Sequence, residues 1–390
     1  MKRLFVVLTC CSCVILNHCI TDFIAKGINE EKDILVVEGT ITDGESIITL
    51  RRSINLNDEK PSSTVTVDNA LVYVENEDGT KIYAKVDNPS KGHPKGIYTI
   101  PNGKLNPEKK YGLIIEVDGN AYRSDYTYPI NTPEIDSVFW TKKEKGQPVN
   151  MHVATHDPEN RVLYYRWSFL EEWEIIVDID SSEANFKDRV LGTPQFYYPY
   201  RCWNFRRNNE LLIGSSEKTV FGRVTDILTS FSSSDRRLEI LYRITVKQNV
   251  ISKRAYDYFE NIKKNTQKIE GLFAPTPSEL RGNIKCVTNP AKPVIGYVEI
   301  SSTTEKRIYI KPADRVYEYP GRPWLFPCFE PLPEGEIKDI LMLEPEAPLP
   351  DYFVPYFWGN YNNRTQPFYV DTHCIDCTNY GTVDKPADWP

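Results

Sequence analysis

Several groups of residues have the types and spacing that chemistry uses. His152 and His156 stand beside Asp157 and Glu159, a set that reads either as a metal or acid–base cluster or as the polar residues of a strand-to-turn transition. Glu171, Glu172 and Glu174 surround Trp173. Paired carboxylates cleave glycosidic bonds, whereas three acids near a strand end also make a solvated face. Cys374 and Cys377, close to Asp371 and His373, are spaced for a local disulfide. Free or cross-paired thiols and a metal site are the alternatives, but a closed zinc site needs about four ligands and no second pair stands nearby. The largest group is aromatic: Tyr164, Tyr165, Trp167, Trp173, Tyr197, Tyr198, Tyr200 and Trp203. Exposed Tyr and Trp rings stack on sugars or anchor a protein partner. The same rings also serve as the core of a Tyr-rich β domain, and their runs lack the alternation that would assign faces.

No G-x-S-x-G elbow, H-E-x-x-H helix, phosphate-binding glycine loop or dinucleotide fingerprint occurs in the chain, so the motifs that mark common enzyme classes are missing. The reading is a non-enzymatic protein without a cofactor. The formal charge of −7 argues against a nucleic-acid partner, which calls for a basic patch.

These residues must be held by strands. The chain is 390 residues long, 40% apolar and 12% aromatic, with 24 Tyr and 28 Pro. This length supports two or three domains, and the composition favours sheets and structured loops over helical bundles. From Ile34 to Ser124, short β-patterned runs alternate with the turn pairs Asp43-Gly44, Asp78-Gly79 and Asp118-Gly119, which suggests an immunoglobulin-like β-sandwich over residues 34–131. A second, antiparallel β-rich domain with one or two packed helices is expected over 135–311, including the strand runs Val294–Ile300 and Lys306–Ile310. Within it, Leu238, Ile240, Tyr242, Ile244 and Val246 alternate as in a half-buried strand. Ser252 is placed as the N-cap of a helix over 252–268, with Ala255, Tyr258, Phe259 and Ile262 on one face. Residues 312–390 are rich in proline and aromatics, which predicts a packed strap with little regular structure. The fold class is therefore mainly β.

At the N-terminus, Lys2 and Arg3 precede an apolar run from Leu4 to Leu16, the layout of an export signal and too short for a comfortable membrane span. Leu16-Asn17-His18-Cys19 resembles a lipobox. This makes residues 1–18 a lipoprotein signal, Cys19 the acylated residue carrying palmitate-type chains, and 19–33 a tether. A plain secretory signal is the alternative. Loss of Lys2 and Arg3 leaves 45 basic against 54 acidic residues. Cys10, Cys11 and Cys13 lie inside the apolar run, so five cysteines remain: Cys202, Cys286, Cys328, Cys374 and Cys377. Export places them where disulfides persist, and the odd number leaves at least one free or paired between chains.

Long segments also carry a family resemblance: the run from Tyr242 to Ile284, YYRWSFLEEWEI (Tyr164–Ile175), GYVEIS (Gly296–Ser301), KRIYI (Lys306–Ile310) and HCIDCTNYG (His373–Gly381). Together they resemble the lipoprotein family catalogued as domain of unknown function 4249. Tyr380 stands where that pattern has a second glycine beside Gly381. The resemblance implies an outer-membrane or cell-surface lipoprotein of Bacteroidetes-type bacteria, periplasmic or surface-exposed, with a TonB-dependent β-barrel transporter as partner. The functional expectation is an accessory or ligand-capturing subunit of such a transporter. The alternative is a surface glycan-binding protein or hydrolase using the aromatic cluster 164–203.

Overall fold

The computed structural model describes residues 34–53, 65–86, 95–177, 198–219, 222–267, 282–318, 353–361 and 364–390. The signal segment, Cys19, the 19–33 tether, Tyr197 and Cys328 lie outside them.

Nine strands come first: β1 (Leu35–Ile41), β2 (Gly44–Arg52), β3 (Val65–Thr66), β4 (Leu71–Asn76), β5 (Lys81–Tyr83), β6 (Lys85–Val86), β7 (Ile97–Gly103), β8 (Tyr111–Val117) and β9 (Asn120–Ser124). The turn before β9 matches the expected type, since Asp118 and Gly119 both have positive φ (49° and 70°), as a two-residue hairpin requires. Seven more strands follow: β10 (Ile135–Thr141), β11 (Val149–Thr155), β12 (Tyr164–Ile176), β13 (Arg201–Arg207), β14 (Leu212–Ser215), β15 (Val224–Phe231) and β16 (Tyr242–Val250). Then come helix α1 (Lys253–Gln267) and strands β17 (Ile284–Cys286), β18 (Val294–Gly296), β19 (Glu299–Ile300), β20 (Thr303–Ile310), β21 (Phe353–Tyr361) and β22 (Arg364–Asp371). The mainly β fold class is as expected.

The first sandwich packs the sheet β18-β1-β2-β7-β6 on the sheet β17-β9-β8-β4-β5. Period-two burial along β2 sends Ile48 and Leu50 inward to meet Val72, Val74, Leu113 and Ile115 of the opposite sheet. Its boundary differs from the sequence reading. Residues 284–300, expected in the second domain, complete the first sandwich: β18 and β19 run parallel to β1, and β17 pairs with β9. Val298 and Ile300 join the core, so burial of apolar surface decides the assignment. Gly296 makes the parallel pair possible, because a Cβ there would lie 2.4 Å from the Val37 carbonyl oxygen.

The second sandwich faces the three-stranded sheet β10-β11-β15 against the sheet β13-β12-β16-β20, with β14 also on β12. Tyr165, Trp167 and Phe169 from β12 and Tyr242, Ile244 and Val246 from β16 pack on Val149, Met151 and Val153. The buried Trp167 indole donates to Gln248 at 2.7 Å, and the Gln248 amide donates to Pro133 O and Thr155 Oγ1, so these two polar side chains in the core are paired. Strand β16 begins at Tyr242 rather than Leu238, which sits in a 3₁₀ turn. Its outer face is more buried than expected, with Arg243 and Thr245 covered and Lys247 exposed, because the C-terminal residues 387–389 pack over Arg243. Helix α1 has the expected span within a residue at each end, and the Ser252 hydroxyl accepts from the Ala255 N–H at 3.2 Å. Ala255, Tyr258 and Phe259 pack on Tyr164, Ile213 and Tyr297.

The chain passes from the first sandwich to the second at 130–132 and, having returned between α1 and β17, again at 301–303. These crossings are tied side by side: Ile130 N–H donates to Ile300 O at 2.9 Å, and Thr132 N–H donates to Ser302 Oγ at 2.8 Å. The Asn249 amide clamps the second crossing through Ser302 O and Thr303 Oγ1.

Residues 319–352 of the expected strap lie outside the described residues; in its described part the strap is more regular than expected, since β21 and β22 pair antiparallel. Pro355 and Pro367 fit there because a two-stranded ribbon leaves one edge of each strand unpaired. Past the hairpin, the chain packs on the second sandwich as expected. Trp203 and Thr382 exchange two backbone hydrogen bonds of 2.8 Å, and Trp389 packs 4.8 Å from the Arg243 guanidinium.

Candidate functional site

Strand alternation splits the aromatic group. Tyr165 and Trp167 point into the core of the second sandwich, and Tyr164 points the other way, under α1 with Tyr256 at 5.0 Å. All three are buried, so they are not the exposed ligand contacts that the sequence allowed. A sandwich of this width needs large rings to fill it. Trp173 is half-buried beneath Arg237, and Tyr200 packs around Cys202 and Cys377. Tyr198 and Trp203 are partly buried. The Trp203 indole N–H is covered and has no hydrogen-bond partner among the described residues. The described members of the group form no single platform.

The three glutamates are neither a solvated face nor a converging pair. Glu171 is fully buried at the edge of the inter-sheet core, where it accepts from Arg206 at 2.5 Å, Arg237 at 2.9 Å and the Tyr242 hydroxyl at 2.7 Å. Glu172 and Glu174 project from the opposite face of β12. Glu172 pairs with Arg243 at 2.7 Å, and Glu174 pairs with Arg201 and accepts from the Trp389 indole. Each carboxylate is held by its own arginine, which is what buried charge requires.

The histidine cluster also comes apart. His152 stacks on Phe139 at 4.9 Å and shares a hydrogen bond with Thr141, and burial lowers its pKa. His156 pairs with Asp136 at 2.7 Å. Asp157 closes a turn by accepting from the N–H groups of Glu159, Arg161 and Val162. The expected Cys374–Cys377 bridge is not formed. Cys377 bonds to Cys202, 175 residues away, because the backbone pairing around Trp203 and Thr382 brings β13 against this turn. Cys374 is disulfide-bonded as well, and Cys286 is free and buried. Among the described residues no three His, Cys, Asp or Glu side chains are grouped to hold a metal.

Two clefts remain. The smaller, about 300 Å³, is walled by Trp173, Ile175, Arg236, Arg237 and Tyr380. The larger, about 480 Å³, lies at the junction of the two sandwiches. Its walls are Val36–Gly39, Arg51 and Ile295–Tyr297 of the first sandwich, Arg166–Ser168 and residues 208–211 of the second, and Tyr258, Phe259 and Ile262 of α1. Arg166 enters from β12 and lays its guanidinium over Phe259, 4.8 Å from the ring centroid. Desolvation holds the Arg166 pKa below its usual value, with the Glu38 carboxylate acting in the opposite direction. Glu38 itself pairs with Arg51 at 3.5 Å. Burial pushes the neighbouring Tyr258 hydroxyl up to about 12. That hydroxyl has no hydrogen-bond partner among the described residues, and the nearby Gly296 N–H does not close one. The walls present a guanidinium, amides, hydroxyls and ring faces, a set suited to holding a ligand. Sequence reasoning passed over Arg166 because a lone arginine between a Tyr pair and a Trp carries no motif.

The family profile described as Domain of unknown function (DUF4249) matches residues 20–307. The chain belongs to the DUF4249 family. No curated protein matches it. Among solved structures, one titled "Complete structure of manganese lipoxygenase of Gaeumannomyces graminis and partial structure of zonadhesin of Komagataella pastoris" is 8% identical, covering 57% of this chain and 90% of that one. Its TM-score of 0.17 carries no structural argument.

Every residue lining the junction cleft falls inside the DUF4249 match, whereas Tyr380 of the smaller cleft falls beyond it. The glycine retained in the tail is the one that geometry demands, since a Cβ on Gly381 would sit 2.4 Å from Trp203 O. Tyr380 has an ordinary φ of −122° and packs against Arg236 at 5.0 Å.

Proposed function

We propose that this DUF4249 protein is a non-enzymatic outer-membrane or surface lipoprotein that captures a small ligand, as an accessory subunit of a TonB-dependent transporter. The observation that carries the reading is the junction cleft. It is concave, built from both sandwiches and α1, and its frame is stiffened by the paired crossings at 130–132 and 301–303. Clefts between domains are common ligand sites. The lipobox-like Leu16–Cys19 supports membrane attachment, and the family resemblance supports the transporter context. In such an assembly the lipoprotein holds ligand beside the barrel while the barrel does the energised transport. A sugar platform built from residues 164–203 is disfavoured, because Tyr164, Tyr165 and Trp167 are buried.

Fractionation of Cys19→Ala in the native host tests the anchor. Release of the variant from the membrane fraction supports it, and quantitative retention overturns it.

A further inference from the structure

We propose that the junction cleft recognises the carboxylate of a small organic acid with an apolar body, and that Arg166 is the residue that receives it. The inference rests on the capture reading above and adds the ligand's chemical class.

A guanidinium carries five N–H donors in a rigid fork shaped for carboxylate and phosphate oxygens. At Arg166 that fork is desolvated, yet no described acceptor takes a hydrogen bond from it, and it lies over the Phe259 ring face at 4.8 Å. By contrast, Arg243 is paired with the buried Glu172 and Arg237 with the buried Glu171. A partly buried charge left without protein acceptors costs stability, so a residue with a purely packing role at this position would be apolar. Stacking on Phe259 holds the fork in place while leaving its in-plane donors open, which is how an arginine is preorganised for a bidentate anion.

The cleft volume of about 480 Å³ lies in the range of small-molecule sites. Phe259, Ile262 and Tyr297 supply an apolar wall for the ligand's body. Glu38 and Glu210 line the same cleft, and their charge disfavours a second negative charge on the ligand. That selects a monocarboxylate over a dianionic phosphate ester.

Isothermal titration calorimetry on the full chain in mild detergent tests this with 3-phenylpropionate, its neutral amide and phenyl phosphate. The acid is expected to bind at least about tenfold more tightly than the amide, the gain of a charge-assisted bidentate contact, and more tightly than phenyl phosphate. Arg166→Gln removes the acid's advantage, and Arg166→Lys restores it only in part because the fork is lost. The melting temperature of each variant checks that the fold is intact. Equal binding of acid and amide, both lost in Phe259→Ala, overturns the anion inference and leaves capture standing. Tighter binding of phenyl phosphate overturns the choice of carboxylate. Failure of all three probes to bind overturns the inference as a whole, and the capture reading is then judged separately by native co-purification.

Discussion

The Arg166 guanidinium stacks on Phe259 at 4.8 Å and gives its N–H donors to no described acceptor. At a partly buried cleft position optimised for stability alone, the side chain would be apolar and of similar length. Arg166→Met is therefore expected to raise stability by on the order of 1 kcal/mol, read as a higher urea midpoint with an unchanged slope. A lower midpoint would mean that the charge has a stabilising partner.

Glu171 behaves in the opposite way. It neutralises Arg206 and Arg237 and accepts from Tyr242 at the edge of the core. Its removal leaves the buried Tyr242 hydroxyl without its acceptor, while Arg237 keeps Asp235 and Arg206 is half exposed, so Glu171→Ala is expected to cost about 1–3 kcal/mol and Glu171→Gln less. Urea unfolding measures both.

The Cys202–Cys377 bond ties β13 to the C-terminal turn across 175 residues. Closing so long a loop restricts the unfolded chain strongly, and Cys202→Ala is expected to cost about 2–5 kcal/mol. Reductant should destabilise the parent protein in the same direction. Cys286→Ala should leave that sensitivity unchanged, since Cys286 is free.

Glu299 provides a pH signature. Burial raises its pKa above 4.5, while hydrogen bonds from Ser252 act in the lowering direction. A raised folded-state value means that the fold favours the protonated form. The associated stability is fully present below about 4.5 and is lost as pH rises through the folded value. The stability of the parent relative to Glu299→Gln should therefore fall as pH increases from 4.5. A flat difference between the two would place Glu299 at an unperturbed value.

The strap hinges on Gly381. A Cβ there meets the Trp203 carbonyl at 2.4 Å, so Gly381→Ala should break the Trp203–Thr382 pairing. Limited proteolysis should then clip the C-terminus faster than in the parent, while the first sandwich stays protected.

What could be read from the sequence was local. The Asp-Gly turns, the Ser252 cap and the apolar face of α1 are each set within a few residues, and each was found. What was missed depends on distant partners. Val294–Ile300 has an ordinary strand pattern, and only its parallel pairing with β1 places it in the first sandwich. Glu172 and Glu174 look solvated until Arg243 and Trp389 arrive from far along the chain. Cys377 found Cys202 rather than its near neighbour for the same reason. The junction cleft is assembled from six separated segments, so no single stretch announces it.

Capture in partnership with a transporter is tested most directly by purifying the tagged native protein from its own outer membrane in mild detergent. Mass spectrometry then reads the companion protein and the mass at Cys19. A stoichiometric large β-barrel companion with an acylated Cys19 is the predicted result. A protein that purifies alone at low salt, with Cys19 unmodified, would contradict the account.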